Sequence, residues 1–206
     1  MEPNKELENI GKIERRTFTG EVRMETTGEK RIVEGYAAKF NQESLLMWDF
    51  VEIIEPGAFD DVLEDDVRAL FNHDPNLVLA RNNGSLDLWV DTVGLGYRFE
   101  ALDTTSGNDL VKNMDAKIIN QSSFGFTVQE SSWDEIINGD NSIKHIRRIK
   151  KIKQLYDVSP VTYPAYTSTE VALRSFDQHK EKSKDQEPIA PNLDLIKAKI
   201  KIAKLK

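Results

Sequence analysis

Apolar and polar positions alternate in short runs along most of this chain. Arg31-Ile-Val-Glu-Gly-Tyr-Ala-Ala-Lys-Phe40 alternates loosely and Asp66-Val-Arg-Ala-Leu-Phe71 well, the period-2 pattern of strands with one buried face. Leu77–Ala80, Leu86–Val90 and Leu95–Phe99 follow at short intervals. They are separated by Asn82-Asn-Gly84 and Asp91-Thr-Val-Gly94, residues that accept positive φ at little cost, so this stretch predicts an antiparallel meander. Strands resume at Ser122–Val128 and again from about His145 to Val161. Two short helices are expected between them. One covers Ala58–Leu63 after Pro56-Gly57. The other opens near Thr105-Ser106, whose hydroxyls suit an N-cap, and runs through Leu110, Val111 and Met114. Many short strands with few helices predict a mainly β fold of the α+β class, a small antiparallel β-barrel with peripheral helices.

The patterning changes at both ends. Residues 1–16 are polar and charged with little periodicity and are expected to form a flexible arm, leaving 17–174 as the main domain. Residues 175–191 are rich in Lys, Glu, Asp, Gln and Pro with little to bury, which predicts a polar linker. Beyond it, Leu193, Ile196, Ile200 and Ala203 share one helical stripe in 192–206, with Asn192 as a cap and lysines at the end. Such a helix packs on its own body, on a partner or on a membrane surface.

Composition narrows the class. With 39% hydrophobic and 31% charged residues among 206, the chain has enough apolar surface for one folded domain, which excludes wholesale disorder. No apolar run approaches the roughly 20 residues that span a bilayer, and the polar start predicts no secretory signal. Cysteine is absent, which excludes disulfides, a thiol nucleophile and thiolate metal sites. Residues 176–206 carry a charge of +3, which leaves −10 on the rest of a chain of net charge −7. An acidic body is a poor match for nucleic acid, and the basic run Lys144–Lys153 lacks interleaved aromatics for base stacking.

The candidate chemistry is a hydroxyl nucleophile with a histidine base. No phosphate-binding loop, HExxH or EF-hand spacing occurs, and Gly94-Leu-Gly96 reads as turn chemistry inside a hairpin. His73 follows the strand ending at Phe71, shares its face with Val67, Ala69 and Phe71 by alternation, and stands where strand meets loop. In Ser122-Ser-Phe-Gly-Phe126, alternation turns Phe124 and Phe126 to the core and Ser123 to the open face, and Gly125 would admit another backbone. Asp157 is an acid among apolar strand residues, a position that needs a partner. Each has an ordinary reading too: a surface-loop histidine, a solvent-facing serine beside a bulge glycine, and a salt bridge from Asp157 to Arg147 or Arg148. His145 falls in the basic run, read as a solvated strand face, and His179 in the linker.

At these residues the chain resembles the prohead maturation proteases of tailed bacteriophages. The likeness covers roughly 17–174. It is carried, in order, by Glu34-Gly-Tyr-Ala-Ala-Lys-Phe40, Glu55-Pro-Gly-Ala-Phe59, Phe71-Asn-His-Asp74, Gly94-Leu95, Ser123-Phe-Gly-Phe126 and Asp157-Val-Ser-Pro-Val-Thr-Tyr-Pro-Ala165. The resemblance implies a fold like the herpesvirus assemblins. It also implies a serine endopeptidase with Ser123 as nucleophile, His73 as base and Asp157 as third member, for which Asp74 and the Asp60-Asp61 pair are substitutes. It implies no cofactor. Substrates would be the major capsid protein or scaffold segments, and the enzyme itself, cleaved inside the assembling procapsid in the host cytoplasm, with a homodimer as the form of the herpesvirus-type relatives. Oxyanion donors would be backbone N–H groups near Gly125 or the Arg147 or Arg148 guanidinium. The rival reading is a non-enzymatic β-rich virion or capsid-assembly protein in which His73 and Ser123 stay apart.

Overall fold

The computed structural model describes residues 13–140, 142–163 and 170–185, in two compact units, Met1–Thr169 and Glu170–Lys206. Among the described residues of the first, strands β1 (Glu14–Thr27), β2 (Lys30–Lys39), β3 (Phe50–Ile54), β4 (Arg68–Phe71), β5 (Asp74–Arg81), β6 (Leu86–Val90), β7 (Gly94–Glu100), β8 (Gln121–Ile137) and β9 (Ile143–Val161) accompany one helix, α1 (Thr105–Asp115), between β7 and β8. They form one sheet in the order β5-β4-β9-β8-β1-β2-β7-β6, with β3 joined to β9 beside that path. The fold is mainly β, as the alternation predicts.

The sheet is not the closed barrel expected, because among the described residues the end strands β5 and β6 do not pair with each other. β5 behaves as an edge. It contains Pro75, which lacks an N–H, and Pro75–Val78 are all exposed. The predicted meander is corrected as well, since β5 and β6 sit at opposite ends of the path. Asn82-Asn-Gly84 is therefore no hairpin turn but a local loop, in which the Ser85 N–H donates to the Arg81 carbonyl at 3.0 Å. β6 and β7 do form a hairpin, and the Asp91 carboxylate accepts from the N–H groups of Val93 and Gly94. The sheet is also mixed, for β3 and β4 both run parallel to β9.

The link between β3 and β4 makes those parallel pairings possible. The helix expected at Ala58–Leu63 is instead a chain of turns closed by three-residue bonds, such as Ala58 N–H to the Glu55 carbonyl and Val62 N–H to that of Phe59. Six residues after a left-handed Gly57 are too few to nucleate a helix. The turns bury Ala58, Phe59 and Val62 with Phe124, Phe126 and Leu155, in the main core. α1 forms as predicted, but its cap is Thr104, whose hydroxyl accepts from the Gly107 N–H at 3.1 Å.

β1 begins inside the segment expected to be an arm. Glu14 and Arg16 are buried there, in a four-member ion cluster with Glu52 of β3 and Arg147 of β9. Two arginines and two glutamates cancel in charge, which is how such polar residues enter the interior. Arg147 thereby corrects the reading of Lys144–Lys153 as a solvated face. In the second unit, α2 (Glu170–Asp185) runs across the boundary expected at Arg174 and into the stretch read as linker, whose Lys, Glu and Gln are good helix formers. The rest of that stretch and the helix expected at 192–206 lie outside the described residues.

Burial alone would raise the Glu52 carboxyl, but Arg16 and then Arg147 outweigh it and hold it below its ordinary value of 4.5. The cluster's contribution is thus fully present above that value and is lost as pH falls through the depressed one. Glu52→Gln, which leaves the arginines short of one charge, is expected to cost about 3–5 kcal/mol by urea unfolding at neutral pH. It should also flatten the loss of stability that the wild type shows in acid.

Candidate active site

His73 sits at the tip of the β4–β5 hairpin. Phe71 and Asp74 are paired, which leaves Asn72 and His73 as the two loop residues, at φ 55° and 59°. Positive φ at both central positions is the type I′ pattern, whose twist matches that of the strands it joins. Asn takes this conformation readily and His less so, so the turn stores strain of order 1–3 kcal/mol that its surroundings must hold. Asn72 supplies the hold. Its side-chain oxygen accepts from the Thr162 N–H at 2.8 Å, its amide donates to Thr162 Oγ1 at 3.2 Å, and its own N–H donates to the Pro160 carbonyl at 3.1 Å. His73 therefore belongs to the turn itself, not to the alternation of the strand before it.

Ser123 and Asp157 come from the neighbouring strands β8 and β9. In that ladder Ser123 faces Ser159 and Gly125 faces Asp157. His73 bridges them. Its Nε2 lies 2.7 Å from Ser123 Oγ and its Nδ1 2.5 Å from Asp157 Oδ1. The structure thus brings together the three side chains singled out in the sequence. Since both ring nitrogens of His73 are taken, Asp74, Asp60 and Asp61 are not its partners. Asp74 accepts from Asn76, and Asp61 pairs with Lys151. His145 stands apart on β9, opposite Glu135 at 3.5 Å.

Three expectations about the surroundings change. Ser123 is not on an open face but 0% exposed, because β1 flanks β8 and pairs Thr17 with it. Its hydroxyl also reaches the Arg16 carbonyl at 2.9 Å. One hydroxyl proton thus has two acceptors in reach, that carbonyl and His73 Nε2. When Nδ1 carries the imidazole proton, donated to the acceptor-only carboxylate, Nε2 is free to receive the serine's. Gly125 does not face a vacant channel. A Cβ there would overlap Asp157 Oδ2, so the missing side chain is the space the carboxylate occupies. Neither arginine is free for an oxyanion, for Arg147 is held by Glu14 and Glu52, and Arg148 by Asp134 and Glu55.

Sequence reasoning missed two contributors. Ser159 donates to Asp157 Oδ1 at 2.6 Å; its place two residues along the same strand was the available signal. The Arg16 carbonyl is backbone and left none.

A hydrogen-bonded Ser-His-Asp chain, its serine and aspartate buried and its histidine partly exposed, on this mainly β scaffold is the arrangement of a serine protease, and comparison with known proteins agrees on the class. The family model of the caudovirus prohead serine protease matches residues 19–182, and the chain belongs to that family. Among solved structures it is similar to the bacteriophage T4 capsid assembly protease gp21, with a TM-score of 0.44 and 11% identity over 73% of this chain and 97% of that one. No curated protein matches it.

Gly125→Ala should displace the Asp157 carboxylate from His73 while leaving the strand ladder in place. The expected result is loss of the low-field imidazole N–H proton resonance, with near-native circular dichroism; an unchanged resonance would contradict it.

Proposed function

We propose that Ser123 is the nucleophile, His73 the general base and Asp157 the group that orients the imidazole. The observation that carries this reading is the unbroken hydrogen-bonded chain from Ser123 Oγ through His73 to Asp157 Oδ1, at 2.7 and 2.5 Å. In peptide cleavage, Ser123 Oγ adds to the scissile carbonyl as Nε2 takes its proton. That proton then goes to the leaving amine, and water hydrolyses the acyl-enzyme by the same route in reverse. Asp157 keeps the other ring proton on Nδ1 and stabilises the imidazolium formed on the way. The non-enzymatic rival is not favoured, since the chain is a prohead serine protease by family.

The substrates in this reading are capsid or scaffold protein segments within the assembling procapsid in the host cell, and the enzyme's own chain. Support comes from the family's description as a prohead protease. Among the described residues, no helix is long and apolar enough to cross a membrane. An assemblin-like fold and a homodimer belong to the same reading and rest on the sequence resemblance.

The test is co-expression of the wild type or Ser123→Ala with the major capsid protein of the same phage, followed by intact-mass spectrometry. Defined fragments are expected with the wild type. Removal of the nucleophile should slow cleavage by about 10⁴-fold or more. Equal cleavage by both proteins would refute the assignment of Ser123.

A further inference from the structure

We infer that Ser159 is a positioning residue for the reaction, acting through Asp157, an inference that rests on the triad reading above. Asp157 lies on β9 with its side chain 6% exposed, and a buried carboxylate needs donors to stay ionised. Its Oδ1 receives two, His73 Nδ1 at 2.5 Å and Ser159 Oγ at 2.6 Å. The other oxygen, Oδ2, lies where Gly125 has no side chain. Ser159 is itself 0% exposed, and its one hydroxyl proton is directed to that carboxylate.

The strand geometry explains why a serine serves here. Residues 157 and 159 project to the same face of β9, so a hydroxyl two residues on reaches back to the carboxylate with no loop or second element to place it. Ser159 is also the cross-strand partner of Ser123. The chain of bonds Ser123–His73–Asp157–Ser159 therefore starts and ends on facing residues of one ladder, and the base is the only member supplied from elsewhere.

Two consequences follow from the bond. It fixes the rotation of the carboxylate, so that Oδ1 rather than Oδ2 faces the imidazole. It also gives Oδ1 a second donor beside the Nδ1–H, which holds the carboxylate in place against the imidazole. Both act on the imidazole during the chemical step and neither touches the peptide. Loss of the hydroxyl should lower turnover and leave substrate affinity alone.

The experiment compares wild type, Ser159→Ala, Ser159→Thr and Ser123→Ala as full chains labelled with ¹⁵N-histidine. The low-field His73 Nδ1–H resonance is expected to move or broaden in Ser159→Ala and to persist in Ser159→Thr, which keeps the hydroxyl at a strand position. In parallel, each is treated with a fluorophosphonate, which phosphonylates an activated serine as its oxygen bonds to phosphorus and fluoride leaves. Ser159→Ala should be labelled about 10- to 100-fold more slowly, as for a lost hydrogen bond to a charged group, with the half-saturating concentration unchanged, and Ser159→Thr should recover most of the rate. A native resonance and native rate in Ser159→Ala would overturn the inference. So would failure of Ser159→Thr to recover either, or a slower rate with a lowered melting temperature and an unmoved resonance, which is a packing effect. Labelling of Ser123→Ala, or none of the wild type, would instead defeat the triad reading and with it any role for Ser159.

Discussion

The antiparallel ladder between β8 and β9 is the constraint on which the site depends. It sets Ser123 against Ser159 and Gly125 against Asp157, so the serine and the carboxylate arrive on adjacent strands with no loop to order. A slip of one residue would turn every one of these side chains to the opposite face. The register is held by burial, because Phe124, Phe126, Leu155 and Val158 are all 0% exposed and any slip would bring polar groups into their place.

What the ladder cannot supply is the imidazole, because a histidine on either strand would project beside the serine and not over it. The β4–β5 hairpin brings it from outside. β4 is parallel to β9 and joins it only at Arg68–Asp157 and Ala69–Val158, and a tight left-handed turn then directs His73 toward the acid and the serine. Strain in that turn is tolerated because Asn72 ties it to Pro160, on the same strand as Asp157, and to Thr162 just past that strand's end. His73 and Asp157 are thus referenced to one piece of backbone.

The ion cluster of Glu14, Arg16, Glu52 and Arg147 has a related effect. It fixes the start of β1, and Arg16 is both a member of the cluster through its guanidinium and a contact of Ser123 through its carbonyl. Buried ion pairs contribute little net stability against a well-packed apolar alternative. Here the cluster determines where one backbone carbonyl stands relative to the Ser123 hydroxyl.

Much was legible in the sequence because it depends on a few consecutive residues. Alternation gave the strands at 31–40, 66–71, 86–90 and 95–99, and Asp91 and Gly94 marked a true hairpin. Ser123, His73 and Asp157 stood out as the residue types able to do this chemistry. Tertiary structure decided what depends on distant partners. It separated β5 from β6 and so left the sheet open, and it buried Ser123 beside β1. It gave the space at Gly125 to the Asp157 carboxylate, and it drew charged residues from an apparent arm into the interior. None of these follows from local pattern, because periodicity shows which face of a strand is apolar but not which strand will lie against it.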